Sequence, residues 1–340
     1  MTRQMLEIKS KIMHRTLLPI SLLVSSLTLL LLGCGNANNT ENSKVNVPAV
    51  DVQATEQSAT EQITNYSIIT QTRLNEPLKT ATDLPHYLTR NIQDEVFYFV
   101  MPDRFNNGNA NNDNGSKTQA ISAGGFDKSH KGMYHGGDIQ GLQQKLPYLK
   151  SLGISAIWLT PILRNQAMQA DTAGYHGYWV LDFTEIDPHL GSNEDLKALI
   201  AAAHQDNIKI FFDIITNHTA DVIKYPACHG EDGLQWLVEE GTNCPYKSLA
   251  QVNNGEGYQA IIPQGQENIK VPAWLNDPKY YHNQGDSTWQ GESSIYGDFA
   301  GLDDIDTDSA EVVAGMIDIF KNLISEFKPD GFRIDTVKHV

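Results

Sequence analysis

The sequence predicts an α/β fold built on a parallel sheet. Short apolar runs at residues 95–100, 154–159, 209–215 and 332–335 alternate with segments of helical periodicity, and strands buried on both faces are typical of parallel sheets. Polar residues follow directly after the first, third and fourth runs, where both an eight-stranded barrel and a doubly wound sheet place their active sites. The pattern alone leaves these two architectures open, although the lack of a glycine-rich loop after the first run disfavours nucleotide binding.

The helices between these strands follow from apolar residues at helical spacing. The second helix begins at Ser192, which forms a capping-box pattern with Asp195. The third ends at Pro329-Asp330-Gly331, just before the fourth strand. The three predicted apolar faces are Leu142, Leu146, Leu149 and Leu152, ending at Gly153; Leu196, Leu199, Ile200 and Ala203; and Val313, Met316, Ile317, Phe320, Ile324 and Phe327.

The stretch from about residue 219 to residue 308 is too long for a simple loop. It predicts a subdomain at residues 220–308, inserted after the third strand, between a first part of the main domain at 91–219 and a last part at 309–340. Cys228 and Cys244 bracket a loop in this insertion, and a disulfide between them is favoured over two free thiols. No CxxC or HxxxH spacing accompanies them, which disfavours a metal site.

The first 34 residues predict an export signal. Lys9, Lys11 and Arg15 precede an apolar run at 17–32 that is interrupted by Pro19 and several hydroxyl residues, which disfavours a permanent transmembrane helix. The ending Gly33-Cys34 resembles a bacterial lipobox and implies lipid on Cys34, whereas an ordinary signal peptide with an incidental cysteine is the alternative. Polar residues 35–90 predict a flexible tether. Gly35 resembles the residue that directs lipoproteins to the outer membrane.

The chain of 340 residues carries 25 basic and 41 acidic residues, a formal net charge of −16. This balance disfavours a nucleic-acid partner, because phosphate binding requires clustered Lys and Arg. The composition suits an exported globular protein, which we expect to be monomeric.

Four short motifs occur in a characteristic order. Residues 213–218 fit D-x-x-x-N-H, residues 331–339 read GFRIDTVKH, residues 175–179 read YHGYW, and residues 302–306 read LDDID. Together they resemble the alpha-amylase family, glycoside hydrolase family 13, from about residue 94 to residue 340. The resemblance implies a (β/α)8 TIM barrel, of which about the first four strands are present, and retaining hydrolysis of α-1,4-linked glucans such as starch and maltooligosaccharides.

The resemblance implies that Asp335 is the catalytic nucleophile. Retaining glycosidases place two carboxyl groups about 5–5.5 Å apart on either side of the scissile bond. Arg333 lies two residues earlier on the same strand face, where its guanidinium would keep Asp335 ionised, and Asp213 would support Arg333. The alternative for Arg333 and Asp335 is a surface ion pair.

Further residues are implied to bind the sugar. Tyr178 would stack on a pyranose ring, because aromatic faces suit its apolar C–H groups, although core packing is the alternative. His176 and His218 would hydrogen-bond hydroxyls, and Lys338 would reach a sugar on the leaving-group side unless it is simply a solvated lysine. The implied substrate-binding set is His176, Tyr178, His218, Lys338 and His339.

The family resemblance also implies two calcium sites built from oxygen ligands, which calcium prefers. The alternative for the second is an ordinary polar loop, and Asn107 stands where relatives often have Asp. The first set is Asn217, Asp304 and the carbonyls of Ile295 and His339; the second is Asn107, Asn109, Asn112, Asp113, Gly136 and Asp138.

The family's general acid and second catalytic Asp come from later strands, so we expect this chain to be inactive alone and to form part of a longer protein. A small Ala300 at a central cleft position favours hydrolysis over cyclodextrin glucanotransferase or neopullulanase-like transfer, although a one-residue slip would bring Phe299 there. A glucan-binding lipoprotein without catalysis, or an inactive gene fragment, remains an alternative. A metal-dependent barrel hydrolase is disfavoured because no His-x-His follows the first strand.

Overall fold

The computed structural model describes residues 85–115, 124–234, 237 and 244–340. The predicted signal segment, Cys34 and most of the predicted tether lie outside these residues. Within them, no helix is long and apolar enough to cross a membrane. The strands are β1 (Phe97–Val100), β2 (Ala156–Leu159), β3 (Leu163–Asn165), β4 (Met168–Gln169), β5 (Thr172–Ala173), β6 (Val180–Ile186), β7 (Lys209–Ile215) and β8 (Gly331–Asp335); the helices are α1 (His86–Thr89), α2 (Ile139–Gln144), α3 (Leu146–Ser151), α4 (Asn193–Gln205), α5 (Pro226–His229), α6 (Leu249–Asn253), α7 (Ser293–Tyr296) and α8 (Ala310–Phe327).

A parallel sheet with the order β1-β2-β7-β8 forms the centre of the fold. Every residue of β7 is buried, because this strand lies between β2 and β8 in the sheet. The register of β7 and β8 sets Asp213 opposite Arg333 and Ile215 opposite Asp335. The carboxyl ends of these strands therefore bring the polar motif residues to one edge of the sheet.

Strand β7 has the predicted bounds, 209–215, and the predicted capping box at Ser192 and Asp195 is formed at the start of α4. Strand β1 is shorter than predicted. It begins at Phe97 because the side chain of Glu95 is buried in ion pairs with Arg90 and Lys209.

The first predicted helix is two helices. α2 ends at Gln144 and α3 starts at Leu146, with Pro147 in its first turn, a position where the missing proline N–H costs nothing. Leu142, Leu146 and Leu149 are buried as predicted, whereas Leu152 lies beyond the end of α3 and is 53% exposed.

The predicted face of the last helix was wrong in part. Helix α8 buries Met316 and Phe327 as predicted, but Val313, Ile317 and Ile324 are between 43% and 49% exposed. The buried stripe instead includes three residues offset from the predicted set: Val312, Ile319 and Leu323.

In its described residues, the segment between β7 and α8 contains short helices and isolated bridges. A disulfide joins Cys228 to Cys244, with their Cα atoms 5.9 Å apart. The buried ammonium of Lys270 contacts the carboxylate of Asp303, which also accepts hydrogen bonds from the backbone of Val222 and Ile223. This charge is thereby satisfied inside the segment.

The described structure begins before the predicted end of the tether at residue 90. α1 covers His86–Thr89, and the guanidinium of Arg90 donates to the carbonyl of Asn207 at 2.7 Å. These last residues therefore contact the same unit as the sheet.

Candidate active site

Two carboxylates share one guanidinium at the carboxyl end of the central strands. Nη1 of Arg333 donates to Oδ1 of Asp335 at 2.5 Å and to Oδ1 of Asp213 at 2.9 Å. The i and i+2 positions of β8 put Arg333 and Asp335 on one face, as the sequence predicted. The side chain of Asp335 is 16% exposed while that of Asp213 is fully buried, so Asp335 is the carboxylate that a ligand can reach.

Asp213 links several elements through its buried carboxylate. Besides Arg333, it accepts hydrogen bonds from Nε1 of Trp158 at 3.1 Å and from the hydroxyl of Tyr178 at 3.2 Å. Burial raises the pKa of Asp213, and the contact with Arg333 opposes that rise. Sequence reasoning did not include Trp158, because a tryptophan inside an apolar strand gives no sign that its N–H faces the carboxylate of Asp213.

Tyr178 and His176 form a stacked pair beside this cluster. Their ring centroids lie 5.6 Å apart at 26°, and burial raises the pKa of Tyr178, with a further rise from Asp213. Nδ1 of His176 accepts the backbone N–H of Tyr178 at 3.1 Å. Burial lowers the pKa of His176 to about 4, with a smaller contribution from Arg104. At neutral pH this imidazole is uncharged and carries its proton on Nε2.

His218 is buried close enough to Asp335 to feel its charge. Its ring stacks on Phe299 with centroids 5.2 Å apart, and burial lowers its pKa to about 4, although the charge of Asp335 opposes this. Phe299 also meets the ring of His339 edge-on at 5.3 Å. Phe299 therefore packs against both histidines, whereas Ala300 is exposed with a φ of 55°. Lys338 is exposed.

The first set of predicted calcium residues comes together in part. Nδ2 of Asn217 contacts Oδ1 of Asp304 at 2.7 Å, and Nδ1 of His339 lies 2.6 Å from the carbonyl of Ser294, next to Ile295. Burial raises the pKa of Asp304 to about 6, while its contact with His282 lowers it. The side chains of Asn217 and Asp304 are therefore adjacent, and the segments carrying the two predicted carbonyls touch each other.

The second predicted set also converges. A Cβ on Gly136, whose φ is 81°, would lie 2.5 Å from Oδ1 of Asp113 and 2.8 Å from Nδ2 of Asn107, so the glycine backbone lies directly against both side chains. Oδ1 of Asn112 is buried without a hydrogen-bond partner among the described residues, as expected of an atom that binds an absent cation. An oxygen donor set with one unsatisfied buried oxygen fits calcium.

Two other predicted ligands of this set are already engaged. The carboxylate of Asp138 caps α2 through the N–H of Gly141 and accepts the N–H of Gly108 and of Asn109. Oδ1 of Asn109 accepts the N–H of Asn111. Asp138 therefore fixes the loop to α2 whether or not a cation is bound.

A group not predicted from the sequence lies near Asp304. His282, Asp306 and Asp308 each offer a ligand atom, and these atoms lie within 4.8 Å of one another. A lone histidine in an irregular segment carries no sequence signal, so this group could only be found from the structure.

Comparison with known proteins agrees with this geometry. Residues 99–340 match the family model described as alpha amylase, catalytic domain. The chain belongs to the alpha-amylase family. It is 48% identical over 232 residues to an alpha-amylase of Streptomyces lividans, a match that covers 64% of this chain and 25% of that protein. It is 30% identical over 269 residues to a cyclomaltodextrin glucanotransferase of Klebsiella oxytoca, covering 77% of this chain and 36% of that protein.

A solved Anoxybacillus alpha-amylase is 33% identical and superposes with a TM-score of 0.51, covering 74% of this chain and 42% of that one. This alpha-amylase family chain therefore has the α/β fold of the family's catalytic domain. It spans between a quarter and less than half of the length of these relatives.

Proposed function

We propose that the complete protein is a retaining glycosidase that cleaves α-1,4-linked glucans, with Asp335 as its nucleophile. The observation that carries the proposal is the guanidinium of Arg333, which contacts the carboxylates of Asp335 and Asp213 together. A nucleophilic carboxylate must be held in one orientation, and the contact with Arg333 fixes Asp335 beside a positive charge. Membership of the alpha-amylase family supports the substrate class.

In the proposed reaction, a carboxylate oxygen of Asp335 attacks the anomeric carbon and forms a glycosyl ester as the bond to the leaving glycosidic oxygen breaks. A general acid must protonate that leaving oxygen, and we assign no described residue to this role. Water then attacks the same carbon, gives its proton to the conjugate base of that acid, releases Asp335 and keeps the α configuration. Arg333 stabilises the carboxylate when it is released as an anion.

Neutral groups around Asp335 suit an uncharged sugar. The uncharged imidazole of His176 can donate from Nε2 to a hydroxyl because Nδ1 is already occupied. The ring of Tyr178 offers an apolar face and is held by its hydroxyl contact with Asp213. We propose that His218, Lys338 and His339 contribute further contacts to the glucan.

We further propose that calcium binds the two predicted oxygen sets. Oδ1 of Asn112, which has no hydrogen-bond partner among the described residues, supports the loop site, and the adjacent Asn217 and Asp304 support the other. Calcium would neutralise the negative charge of its ligands and hold segments together, with no part in bond cleavage.

We also propose a barrel whose first four strands are β1, β2, β7 and β8, with residues 220–308 as an inserted subdomain. We further propose that the protein is exported and carries a lipid anchor at Cys34.

A glucan-transferring enzyme is the second candidate, and Phe299 favours it. Its ring packs on His218 and His339, so an aromatic side chain stands near the cleft where the sequence suggested the small Ala300. The relative from Klebsiella oxytoca is named a cyclomaltodextrin glucanotransferase. Product analysis separates the candidates, because hydrolysis yields linear maltooligosaccharides and intramolecular transfer yields cyclic ones.

The proposal is tested by starch and maltooligosaccharide turnover in the complete gene product with calcium. Asp335→Asn is expected to lower kcat by about four orders of magnitude or more, since it removes the nucleophile. Asp318→Asn, which alters an exposed carboxylate on α8, is the matched control and should retain full turnover. Unchanged turnover in Asp335→Asn would show that the nucleophile is another residue. Glucan binding without turnover in the unmodified protein would favour a binding protein.

A further inference from the structure

The side chains of His282, Asp306 and Asp308 converge in the segment before α8. The imidazole and the two carboxylates offer atoms within 4.8 Å of one another. None of the three belongs to the two predicted calcium sets, and none contacts the proposed nucleophile in the described structure. The group therefore calls for an explanation of its own.

The orientation of His282 is set by a carboxylate behind it. Nδ1 lies 2.6 Å from Oδ2 of Asp304, a contact in which Nδ1 carries the proton and the carboxylate accepts it. In the tautomer with its single proton on Nδ1, the lone pair of the ring is on Nε2. A histidine that binds a metal almost always has this arrangement, with one nitrogen donating to a carboxylate and the other facing the ion.

Nε2 of His282 is buried and makes no hydrogen bond to the described residues. The side chain as a whole is only 7% exposed, and Oδ1 of Asp306 lies 3.3 Å from Nε2. With the proton on Nδ1, both of these atoms are acceptors. A metal ion between them would give both atoms a partner.

The distance of 3.3 Å between Nε2 of His282 and Oδ1 of Asp306 fits two ligands of one metal ion. Ligand bonds of about 2.0–2.1 Å at tetrahedral angles place neighbouring ligand atoms about 3.3–3.4 Å apart, which matches the distance between Nε2 and Oδ1. Asp308 completes the group from the exposed side. Its Oδ2 accepts the hydroxyl of Tyr296 at 3.2 Å, and the ring of Tyr296 meets His282 edge-on at 4.9 Å, so one tyrosine holds two of the three ligands.

The donor set selects the type of ion. Calcium takes oxygen ligands alone, whereas one imidazole nitrogen with two carboxylate oxygens suits zinc and leaves a fourth position for water. We propose that His282, Asp306 and Asp308 form a zinc site, separate in its ligands from the calcium residues and joined to them through Asp304, whose other oxygen contacts Asn217.

The site is tested on the 340-residue chain after removal of metals by chelation. Zn²⁺ is titrated calorimetrically in excess calcium, which occupies oxygen-only sites. One Zn²⁺ is expected per chain at this site. His282→Gln and Asp308→Asn should each weaken its binding by about tenfold to a hundredfold or more, since even outer partners of a metal contribute that much. Asp318→Asn is the control and should bind Zn²⁺ as the unmodified chain does.

A second readout identifies the nitrogen ligand. Co²⁺ added in place of Zn²⁺ should give visible absorption bands that persist in Asp318→Asn and are lost in His282→Gln. Circular dichroism shows whether each variant folds, and Asp308→Asn, which changes an exposed side chain, keeps the test decisive if His282→Gln does not fold. Absence of Zn²⁺ binding, or Zn²⁺ binding unaffected by these two substitutions, would overturn the proposal.

Discussion

The buried carboxylate of Asp213 accepts hydrogen bonds from three side chains that come from different parts of the chain: Trp158, Tyr178 and Arg333. Asp213 is expected to hold these three side chains together, because a buried carboxylate must be fully hydrogen-bonded. The same contacts orient Arg333 toward Asp335. The motif residues could therefore be predicted from sequence, whereas the contribution of Trp158 depends on the register of β2 and β7.

The pKa of His176 leads to a prediction at this scale. Its value of about 4 in the folded protein lies below the ordinary 6.5, so the unfolded chain takes up the proton first as the pH falls. The stability that comes from the neutral ring is complete above pH 6.5 and is lost as the pH falls toward 4. Relative to His176→Gln, the unmodified chain should lose roughly 3 kcal/mol of unfolding free energy across this interval.

Urea unfolding of both proteins at several pH values measures this loss. Buried acids with raised pKa values, such as Asp286 and Asp304, increase the free energy of unfolding as the pH falls, and they do so equally in both proteins. The difference between the two proteins therefore isolates His176. A difference that does not change with pH would mean that His176 titrates normally.

At the scale of elements, helix α8 shows why a pattern can predict a helix and miss its buried face. Apolar residues occur on two sides, and the predicted stripe contained Val313, Ile317 and Ile324, which are exposed in the described structure. The buried side is fixed by contacts with β6 and α4, which no periodicity within α8 encodes. By contrast, β7 and the Ser192 cap were predictable because their signals are local.

Gly315 in the middle of α8 gives an element-scale prediction. Replacing a helical glycine by alanine ordinarily stabilises a protein by about 1 kcal/mol. Here the added Cβ would lie 2.6 Å from Cζ2 of Trp274, so Gly315→Ala should destabilise the fold by about 1–3 kcal/mol.

A double-mutant cycle checks the cause, with denaturant unfolding as the measurement. In a Trp274→Ala background the steric conflict is absent, and Gly315→Ala should then be neutral or stabilising. Equal destabilisation in both backgrounds would mean that the indole is not responsible.

At the scale of the whole molecule, the described part of the segment between β7 and α8 has few regular elements and is held by the disulfide and by buried polar contacts. Cys228 and Cys244 are each about 2% exposed and 16 residues apart in sequence. The predicted export signal and the positions of the two cysteines around a loop are enough to favour a disulfide from the sequence. The convergence of His282 with Asp306 and Asp308 had no such signal, because it arises from the path of an irregular segment.

Removal of the disulfide is the prediction at this scale. The double substitution Cys228→Ser and Cys244→Ser should lower the free energy of unfolding by about 3 kcal/mol, since the unfolded chain regains the freedom of a short loop. Urea unfolding with and without reductant provides the measurement. Cys34→Ser is the control and should leave stability unchanged, while a reductant-insensitive unmodified chain would contradict the expectation.

Asp330, which lies directly before β8, fixes the position of this strand through its hydrogen bonds. Oδ2 of Asp330 accepts the backbone N–H of Ile210 at 2.7 Å and contacts His204, and its own N–H donates to the carbonyl of Ile210. Because strand side chains alternate, a single inserted or deleted codon between α8 and β8 would turn Arg333 and Asp335 away from Asp213. Natural variation in this stretch should therefore consist of substitutions, while changes in length accumulate in the exposed loops of the preceding segment.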